Sequence, residues 1–398
     1  MSLLVSILAA GSALPRYRLG AAEVRKAFGG GALRGVDSVT VAGHDEDELT
    51  LAVEAAAAAL GSVEELPSHL IFSSSGETPG AATVTKALGL DCVTADKLHT
   101  AESFAPLAAA LDSVTANHAP VLVVWSDAPG GSGFGKAAEI DGAGAVALLL
   151  SGSGFADIRL EAKSKDKAPD PGVWKRIGNL RCAGPAFAML ELLSGAKEGS
   201  KVLVGEPGGR MALLTVTSTP DVASPLRAAS TGGVQVDLHH AARLRAALVP
   251  EDDSPMGAFV SDQLYDASIG SRYRLEAQKC DKCGHVQLPP RTGCLRCGAD
   301  GGTKAMLERA GEVEAVTVVA RGAAPGEFLH QQAMAGEYAV AIISLKEEEG
   351  DGRARVVAQL TDCDANSVKI GDRVEAVFRR LYFQLGKARY GLKFRPAG

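Results

Sequence analysis

Residues 273–298 read YRLEAQKCDKCGHVQLPPRTGCLRCG and contain two Cys-x2-Cys pairs. Each pair closes a tight turn that directs two thiolates towards one point, and two such turns complete a tetrahedral site for zinc. A glycine follows each pair, where the turn needs an unhindered backbone. The predicted metal ligands are Cys280, Cys283, Cys294 and Cys297. Because four protein ligands leave no open position, we expect the zinc to be structural, with iron as the alternative metal.

Composition limits the classes of protein to which the chain can belong. Its 398 residues suggest two or three domains, and its net charge of −6 gives no general attraction to nucleic acid or anionic lipid. Seven cysteines, four of them in the two pairs, indicate a metal site and not a disulfide framework. The apolar run at the N-terminus ends after about ten residues, too few to cross a bilayer. We therefore expect a cytoplasmic protein with no membrane association.

The chain divides into regions of different character. Residues 1–218 alternate strand-like and helix-like segments with near-continuous apolar strands, which predicts an α/β layered fold. Residues 219–270 contain four prolines and predict a linker or arm. Residues 271–303 hold the cysteine turns and predict a zinc ribbon. Residues 304–398 carry several short strands, which predicts a small all-β barrel.

The cysteine turns and the strands after them resemble a known family. Residues 273–298, together with AQLTDCD at 358–364 and IGDRVEAVFRRL at 370–381, resemble the bacterial and archaeal zinc-ribbon plus OB-fold family. Members of that family accompany thiolase-type acyl-CoA enzymes. The resemblance covers residues 271–398. It implies a rubredoxin-like ribbon, an OB-fold barrel and an acyl-CoA-handling partner or domain.

The C-terminal stretch is basic although the chain is acidic. From Lys369 to Gly398 there are eight basic and two acidic residues, so this stretch carries +6 and the rest of the chain −12. A basic patch can bind the phosphates of a coenzyme A thioester, and on an OB barrel it can also bind single-stranded nucleic acid. A solvated basic edge explains the same pattern without a ligand. Given the resemblance we favour coenzyme A and consider nucleic acid unlikely as the ligand. The candidate phosphate-binding residues are Arg379, Arg380, Lys387 and Arg389.

The first region resembles bacterial and archaeal 3-hydroxy-3-methylglutaryl-CoA (HMG-CoA) synthases, which have a thiolase-like fold. The matching segments are ALPRYRL at 13–19, HDEDELTLAVEAA at 44–56, AAEIDGAGAVALLL at 137–150, IGNLRCAG at 177–184 and KEGSKVLVGEPGGRMALLTVT at 197–217. These segments cover both ends of the family's fold. The resemblance therefore implies a truncated thiolase-like layered domain over residues 1–218.

The resemblance also shows that the family's nucleophile is missing. The family acts by covalent catalysis, in which a cysteine at the start of a buried helix takes the acyl group. AESFAPLAAAL at 101–111 matches that helix and contains no cysteine. The nucleophile position falls at Phe104 or beside it at Ser103. Phenylalanine cannot act, and a serine needs a base to activate it.

The family's other catalytic groups are absent or uncertain. Only 27 residues separate Leu150 from Gly178, where the family would place its catalytic histidine, and no histidine occurs between His118 and His239. Glu77 lies near the expected position of the catalytic glutamate. The remaining candidates, Ser103 and Glu77, are equally explained as a helix cap and a surface polar group. Four further residues are set aside: His44 as part of a cap region, and Cys92, Cys182 and Cys363 as lying away from the expected helix start.

These observations support three hypotheses. The first is a non-catalytic, acyl-CoA-binding subunit that docks on a separate catalytic thiolase-type subunit in a hetero-oligomer, because a shortened copy would leave an apolar face exposed. The second is an acyltransferase or HMG-CoA synthase-like enzyme that acts alone through Ser103, Glu77 or another group. The third is an OB-fold protein that binds nucleic acid. We favour the first.

Overall fold

The computed structural model describes residues 4–29, 35–61, 63–76, 80–90, 93–98, 102–130, 141–161, 168–206, 209–246 and 259–397. The chain forms two compact units, Met1–Leu248 (the first unit) and Val249–Gly398 (the second unit). The boundary between the units falls within the segment predicted as a linker: residues 219–248 belong to the first unit and residues 249–270 to the second. No helix within the described ranges is long and apolar enough to span a bilayer.

The first unit is built on one large sheet and one small sheet. Its strands are β1 (Ser6–Ala13), β2 (Tyr17–Gly20), β3 (Ser38–Val41), β4 (His69–Ser74), β5 (Thr94–Leu98), β6 (Val121–Asp127), β7 (Gly144–Ser151), β8 (Ala156–Glu161), β9 (Lys201–Gly205), β10 (Met211–Val216) and β11 (Val234–Val236). The large sheet has the order β5-β4-β6-β7-β1-β8-β10-β9, and the small sheet has the order β11-β2-β3. Strands β5, β4 and β6 run parallel, whereas the others in the large sheet pair antiparallel.

Helices cover both faces of the large sheet. The helices of this unit are α1 (Ala21–Phe28), α2 (Glu48–Leu60), α3 (Ala81–Leu88), α4 (Ala105–Asn117), α5 (Trp174–Ile177), α6 (Gly184–Ser194), α7 (Pro225–Thr231) and α8 (Leu238–Leu244). Alternate residues of β6, among them Val123 and Trp125, share one buried cluster with α4 and α6. Helix α2 packs against β1, β6 and β7 on the other face. This layered arrangement confirms the α/β fold class predicted for the first region.

The alanine-rich helix α2 lies unusually close to the sheet. Asp47 caps it by accepting the N–H groups of Leu49 and Thr50, both at 3.0 Å, and the Thr50 hydroxyl accepts the Asp47 N–H at 2.8 Å. On β1, a Cβ atom at Gly11 would lie 2.4 Å from the carbonyl oxygen of Ala55. Small residues on both elements therefore allow the close approach, and His44 lies just before the cap, as expected.

The second unit consists of a short helical pair, a ribbon and a barrel. Its elements are α9 (Asp262–Ala267), α10 (Ile269–Arg274), β12 (Glu276–Lys279), β13 (Val286–Gln287), β14 (Thr303–Val319), a 3-10 turn (Gly326–Phe328), α11 (Leu329–Ala335), β15 (Tyr338–Glu347), β16 (Arg353–Gln359), β17 (Arg373–Gln384) and β18 (Lys387–Pro396).

A single long strand organises the barrel. Strand β14 pairs antiparallel with β12, β15 and β17, while β15 pairs with β16 and β17 pairs with β18. A bridge between Leu360 and Phe394 brings the two ends of this order together. The interior is filled by residues such as Val313, Ile343 and Val374. The predicted all-β fold of the C-terminal region is thus confirmed.

Candidate functional site

The four cysteines of the ribbon converge on one point. Their Sγ atoms all lie within 4.8 Å of one another, with 3.8 Å between Cys280 and Cys297 and 3.6 Å between Cys283 and Cys294. A tetrahedral ion at about 2.3 Å from each sulfur requires sulfur–sulfur separations of roughly 3.8 Å. The donor set and its spacing therefore fit zinc, and the four residues named from the sequence are arranged to bind it.

The two cysteine turns have the same backbone geometry. Gly284 donates its N–H to the Cys280 carbonyl and Gly298 donates to the Cys294 carbonyl, each at 2.9 Å. Both glycines are left-handed, with φ of +67° and +69°, a conformation that strains other residues. The N–H of Arg296 points to the Cys294 sulfur at 3.4 Å, which favours the thiolate over the thiol. These features preorganise the thiolates for a metal ion.

The four residues proposed for coenzyme A phosphates lie on β17 and β18 without forming one cluster. The side chain of Arg379 is only 1% exposed, and its guanidinium donates to the Asp362 carboxylate at 2.8 Å. Its neighbour Arg380 lies over the ring of Phe383, 4.9 Å from the centroid. Because successive residues of a strand point to opposite faces, Arg379 and Arg380 do not act together.

Two of these basic residues share a carboxylate that the sequence analysis did not single out. Asp262, at the start of α9, accepts from the Lys387 ammonium at 3.1 Å and from the Arg389 guanidinium at 2.5 Å. The hydrogen bond from Arg389, followed by that from Lys387, lowers the pKa of Asp262. Arg389 is also stacked on Tyr265, 4.5 Å from the ring centroid. The structure thus brings Lys387 and Arg389 together around one anion.

In the first unit, the position expected for a nucleophile is occupied by a buried aromatic ring. Phe104 is the N-cap residue of α4, and its side chain lies within the core. Ser103 is also buried; its hydroxyl donates to the Arg181 carbonyl at 3.4 Å. Among the described residues, the Ser103 hydroxyl has no histidine or carboxylate as a hydrogen-bond partner. Neither residue is arranged as an activated nucleophile.

A carboxylate occupies the start of the same helix. Glu206, which follows β9, accepts the N–H of Phe104 at 2.7 Å and also the N–H of Ser103. The first N–H groups of a helix attract anions, and covalent enzymes use such groups to stabilise an acyl oxyanion. Burial raises the pKa of Glu206, an effect that its hydrogen bonds only partly offset. When ionised, Glu206 would repel an oxyanion at this place.

Helix α6 has a matching arrangement. Asp127, at the end of β6, accepts the N–H groups of Cys182 and Ala183, both at 2.9 Å. The Cys182 thiol donates to the same carboxylate at 3.3 Å. Burial and the negative charge of Asp127 raise the pKa of Cys182, so its sulfur stays protonated and is a poor nucleophile. Each of the two helices thus begins against a buried carboxylate.

Known proteins resemble the second unit in sequence. Residues 267–301 match the family model "ChsH2, rubredoxin-like zinc ribbon domain", and residues 306–379 match "ChsH2, C-terminal OB-fold domain". A DUF35 domain-containing scaffold protein of Methanothermobacter thermautotrophicus is 37% identical over 131 residues, which span 32% of this chain and 90% of that protein. One from Methanocaldococcus jannaschii is 38% identical over 131 residues, 85% of its length. This chain belongs to the family of DUF35 domain-containing scaffold proteins.

Solved structures identify the fold of the remainder of this DUF35 family member. An HMG-CoA synthase complexed with CoA superposes with a TM-score of 0.52 at 15% identity, over 65% of this chain and 94% of that one. A protein of Streptococcus mutans UA159 gives a TM-score of 0.52 at 14% identity, over 65% and 95%. These similarities establish the fold alone. They confirm the thiolase-like architecture expected for the first region. The family models confirm the zinc ribbon and OB-fold expected for the second.

Some candidate residues lie outside the described part of this DUF35 protein, and others were not found from the sequence. Glu77 and Cys92 fall outside the described residues. Asp127, Glu206 and Asp262 had no motif to mark them. Asp127 ends the apolar strand β6. An acidic residue at the end of a buried apolar run was the one signal in the sequence that could have marked it.

Replacing Glu206 by glutamine tests the buried carboxylate of this DUF35 family member. Because the folded state raises the pKa of Glu206, its ionised form lowers the stability of the fold relative to its protonated form. The native chain should therefore gain stability relative to Glu206→Gln as the pH falls from 7 to 5. Denaturant unfolding followed by tryptophan emission measures this, since the Trp125 indole donates to the Ser103 carbonyl at 2.7 Å. The exposed Glu198→Gln is the control, and an equal response of both variants would contradict the assignment.

Proposed function

We propose that this DUF35 family member is a non-catalytic subunit that binds acyl-CoA and assembles with a separate, catalytic thiolase-type subunit. The observation that carries the proposal is the start of α4, where Phe104 stands in place of a nucleophile and Glu206 accepts the helix N–H groups. A scaffold role agrees with the name of the archaeal relatives, which are DUF35 domain-containing scaffold proteins.

The chemistry of the first unit supports a subunit without covalent catalysis. An acyl-transfer site needs a nucleophile, a base within reach and donors for the oxyanion. At α4 the ring of Phe104 is buried and the donors are taken by Glu206. At α6 the Cys182 thiol is buried against Asp127, which disfavours its thiolate. The thiolase-like architecture is thus present without this set of reacting groups at either helix.

The basic residues of the hairpin formed by β17 and β18 support acyl-CoA as the ligand of the second unit. Lys387 reaches solvent, and Arg380 stacks on Phe383, so both can contact a phosphate at the surface. Arg389 contributes its charge beside Lys387, where a phosphate would compete with Asp262. Arg379 is held by Asp362, and we assign it to the barrel and not to the ligand.

Purification of the tagged full-length chain from its native host, followed by intact-complex mass measurement, tests this function. We expect a stoichiometric companion with a cysteine–histidine thiolase site, and no turnover of acyl-CoA by the chain alone. A homo-oligomer without a companion would overturn the proposal. An acyl adduct on Ser103 would then favour the enzyme hypothesis, whereas salt-sensitive binding to single strands would favour the nucleic-acid hypothesis.

A further inference from the structure

The turn between β17 and β18 exposes a leucine in a conformation that leucine rarely adopts. Leu385 and Gly386 form a two-residue loop, with φ of +50° and +72°. Positive φ at both positions is typical of a type I′ turn, for which Asn-Gly is the favoured sequence. The Cβ atom and branched side chain of leucine are disfavoured there. The chain thus holds a strained residue at a position where asparagine would relieve the strain.

This leucine is exposed to solvent together with two other large apolar side chains. Leu385 is 78% exposed, and Phe259 and Leu264 are 69% and 67% exposed. We call these three residues the tip patch. Single exposed apolar residues are common on proteins, but three of this size at one end of a hairpin indicate an interaction surface.

Specific contacts bring the tip patch together. The side-chain amide of Gln384 accepts the Val260 N–H at 3.0 Å and donates to the Val260 carbonyl at 2.9 Å. This pairing fixes the segment of Phe259 beside the hairpin turn. Asp262 binds Lys387 and Arg389, which holds the start of α9, and with it Leu264, at the same end. The patch is therefore built on a supported part of the second unit.

We propose that the tip patch is the anchor by which this chain binds its catalytic subunit, entering an apolar pocket rimmed by carboxylates. This inference rests on the proposed function and names the surface that performs it. Side chains that fill well-packed, desolvated pockets carry most of the binding energy of an interface. Strained residues cluster at functional sites. Free energy gained when Leu385 binds a partner would compensate the strain of its turn, and the free chain lacks that gain.

The charge around the tip patch defines the partner's surface. Among the described residues that the contacts place at this end of the hairpin, Lys387 and Arg389 both bind Asp262, which leaves a net charge of +1 beside the patch. An acidic rim on the partner complements this charge. A coenzyme A phosphate would use the basic residues alone and would gain nothing from Leu385. The apolar tip thus points to a protein partner.

The variant Leu385→Asn separates binding from folding, because it removes the apolar side chain and also relieves the turn. We expect it to raise the thermal unfolding midpoint of the free chain by about 2–4 °C. In pull-downs from the native host, it should recover at least about tenfold less of the thiolase-type subunit per tagged chain. Val357→Thr on β16, where the valine is 70% exposed, is the matched control and should recover the native amount.

The outcomes distinguish this inference from the proposed function. Equal recovery of the thiolase-type subunit with Leu385→Asn and the native chain would overturn the anchor and leave the proposed function standing. Recovery of no thiolase-type subunit with any of the chains would overturn both. The coenzyme A affinity of the purified chain, measured by calorimetry, should be the same for Leu385→Asn and the native chain. A loss of that affinity without a loss of the subunit would assign the tip to the ligand and overturn the anchor.

Discussion

Replacing Cys283 by serine is expected to remove the metal from the second unit and to unfold its ribbon. Between the two cysteine turns, the two-residue strand β13 pairs with β12 and Gly293 forms a single bridge with Asp300, so there is little buried core to hold the turns without the ion. A structural zinc site of this kind contributes about 10–16 kcal/mol to folding. Metal content measured by mass spectrometry should fall from about one zinc per chain to near zero, and hydrogen exchange over residues 276–300 should become fast.

The control for this experiment is another cysteine of the same unit. Cys363 lies outside the four-sulfur cluster, so Cys363→Ser should keep the metal. Treatment of the native chain with a strong chelator should reproduce the effect of Cys283→Ser. Unchanged metal content and stability in Cys283→Ser would show that the assignment is wrong, and iron in place of zinc would correct the identity of the metal.

The second large effect is expected for Arg379→Met, which leaves the Asp362 carboxylate without its guanidinium. The ion pair is 2.8 Å long, with the Arg379 side chain 1% exposed. Removing one partner of a buried pair costs about 3–5 kcal/mol, because the other charge stays in a poorly solvated place. Hydrogen exchange over β17 and β18 should report the loss. Coenzyme A affinity should not change beyond what this loss of folded protein explains.

Removing both charges distinguishes the pair from simple packing loss. The double variant Arg379→Met with Asp362→Asn should recover most of the lost stability, since neither charge of the pair is left without its partner. Asparagine suits position 362, where φ is +54°. If the double variant is as unstable as Arg379→Met alone, the cost lies in packing and not in the ion pair.

The strongly patterned elements of the fold could be predicted from sequence. The apolar run bounded by turn residues predicts a buried strand over His69–Ser74, and the sequence predicts a helix over Ala81–Leu88; both have these bounds in the structure. The helix expected from Ala101 begins only at Ala105, because Pro106 fits the first turn of a helix and not its interior. Among the short strands that the sequence predicts in the C-terminal region, one covers Val313–Ala320. In the structure this segment is the second half of the longer β14, whose bulges interrupt its alternation.

The metal site followed from sequence because its four ligands lie within 18 consecutive residues and their spacing carries the geometry. The carboxylates at the starts of α4 and α6 could not be predicted from the sequence. Glu206 is about a hundred residues from Phe104, and Asp127 is 55 residues from Cys182. Such contacts depend on how distant strands are ordered in the sheet. In the same way, the sequence marked Lys387 and Arg389 as candidate phosphate-binding residues but did not show that Asp262 of α9 binds both of them.

The acid at the start of α4 has an evolutionary consequence. A mutation to cysteine at position 104 would put a thiol on the residue whose backbone N–H binds Glu206, and the charge of the ionised carboxylate would disfavour the thiolate. Loss of the acid as well would still leave the chain without the family's catalytic histidine, because no histidine lies between His118 and His239. Under the proposed function, several substitutions therefore separate this chain from a covalent enzyme, and no single one restores that chemistry.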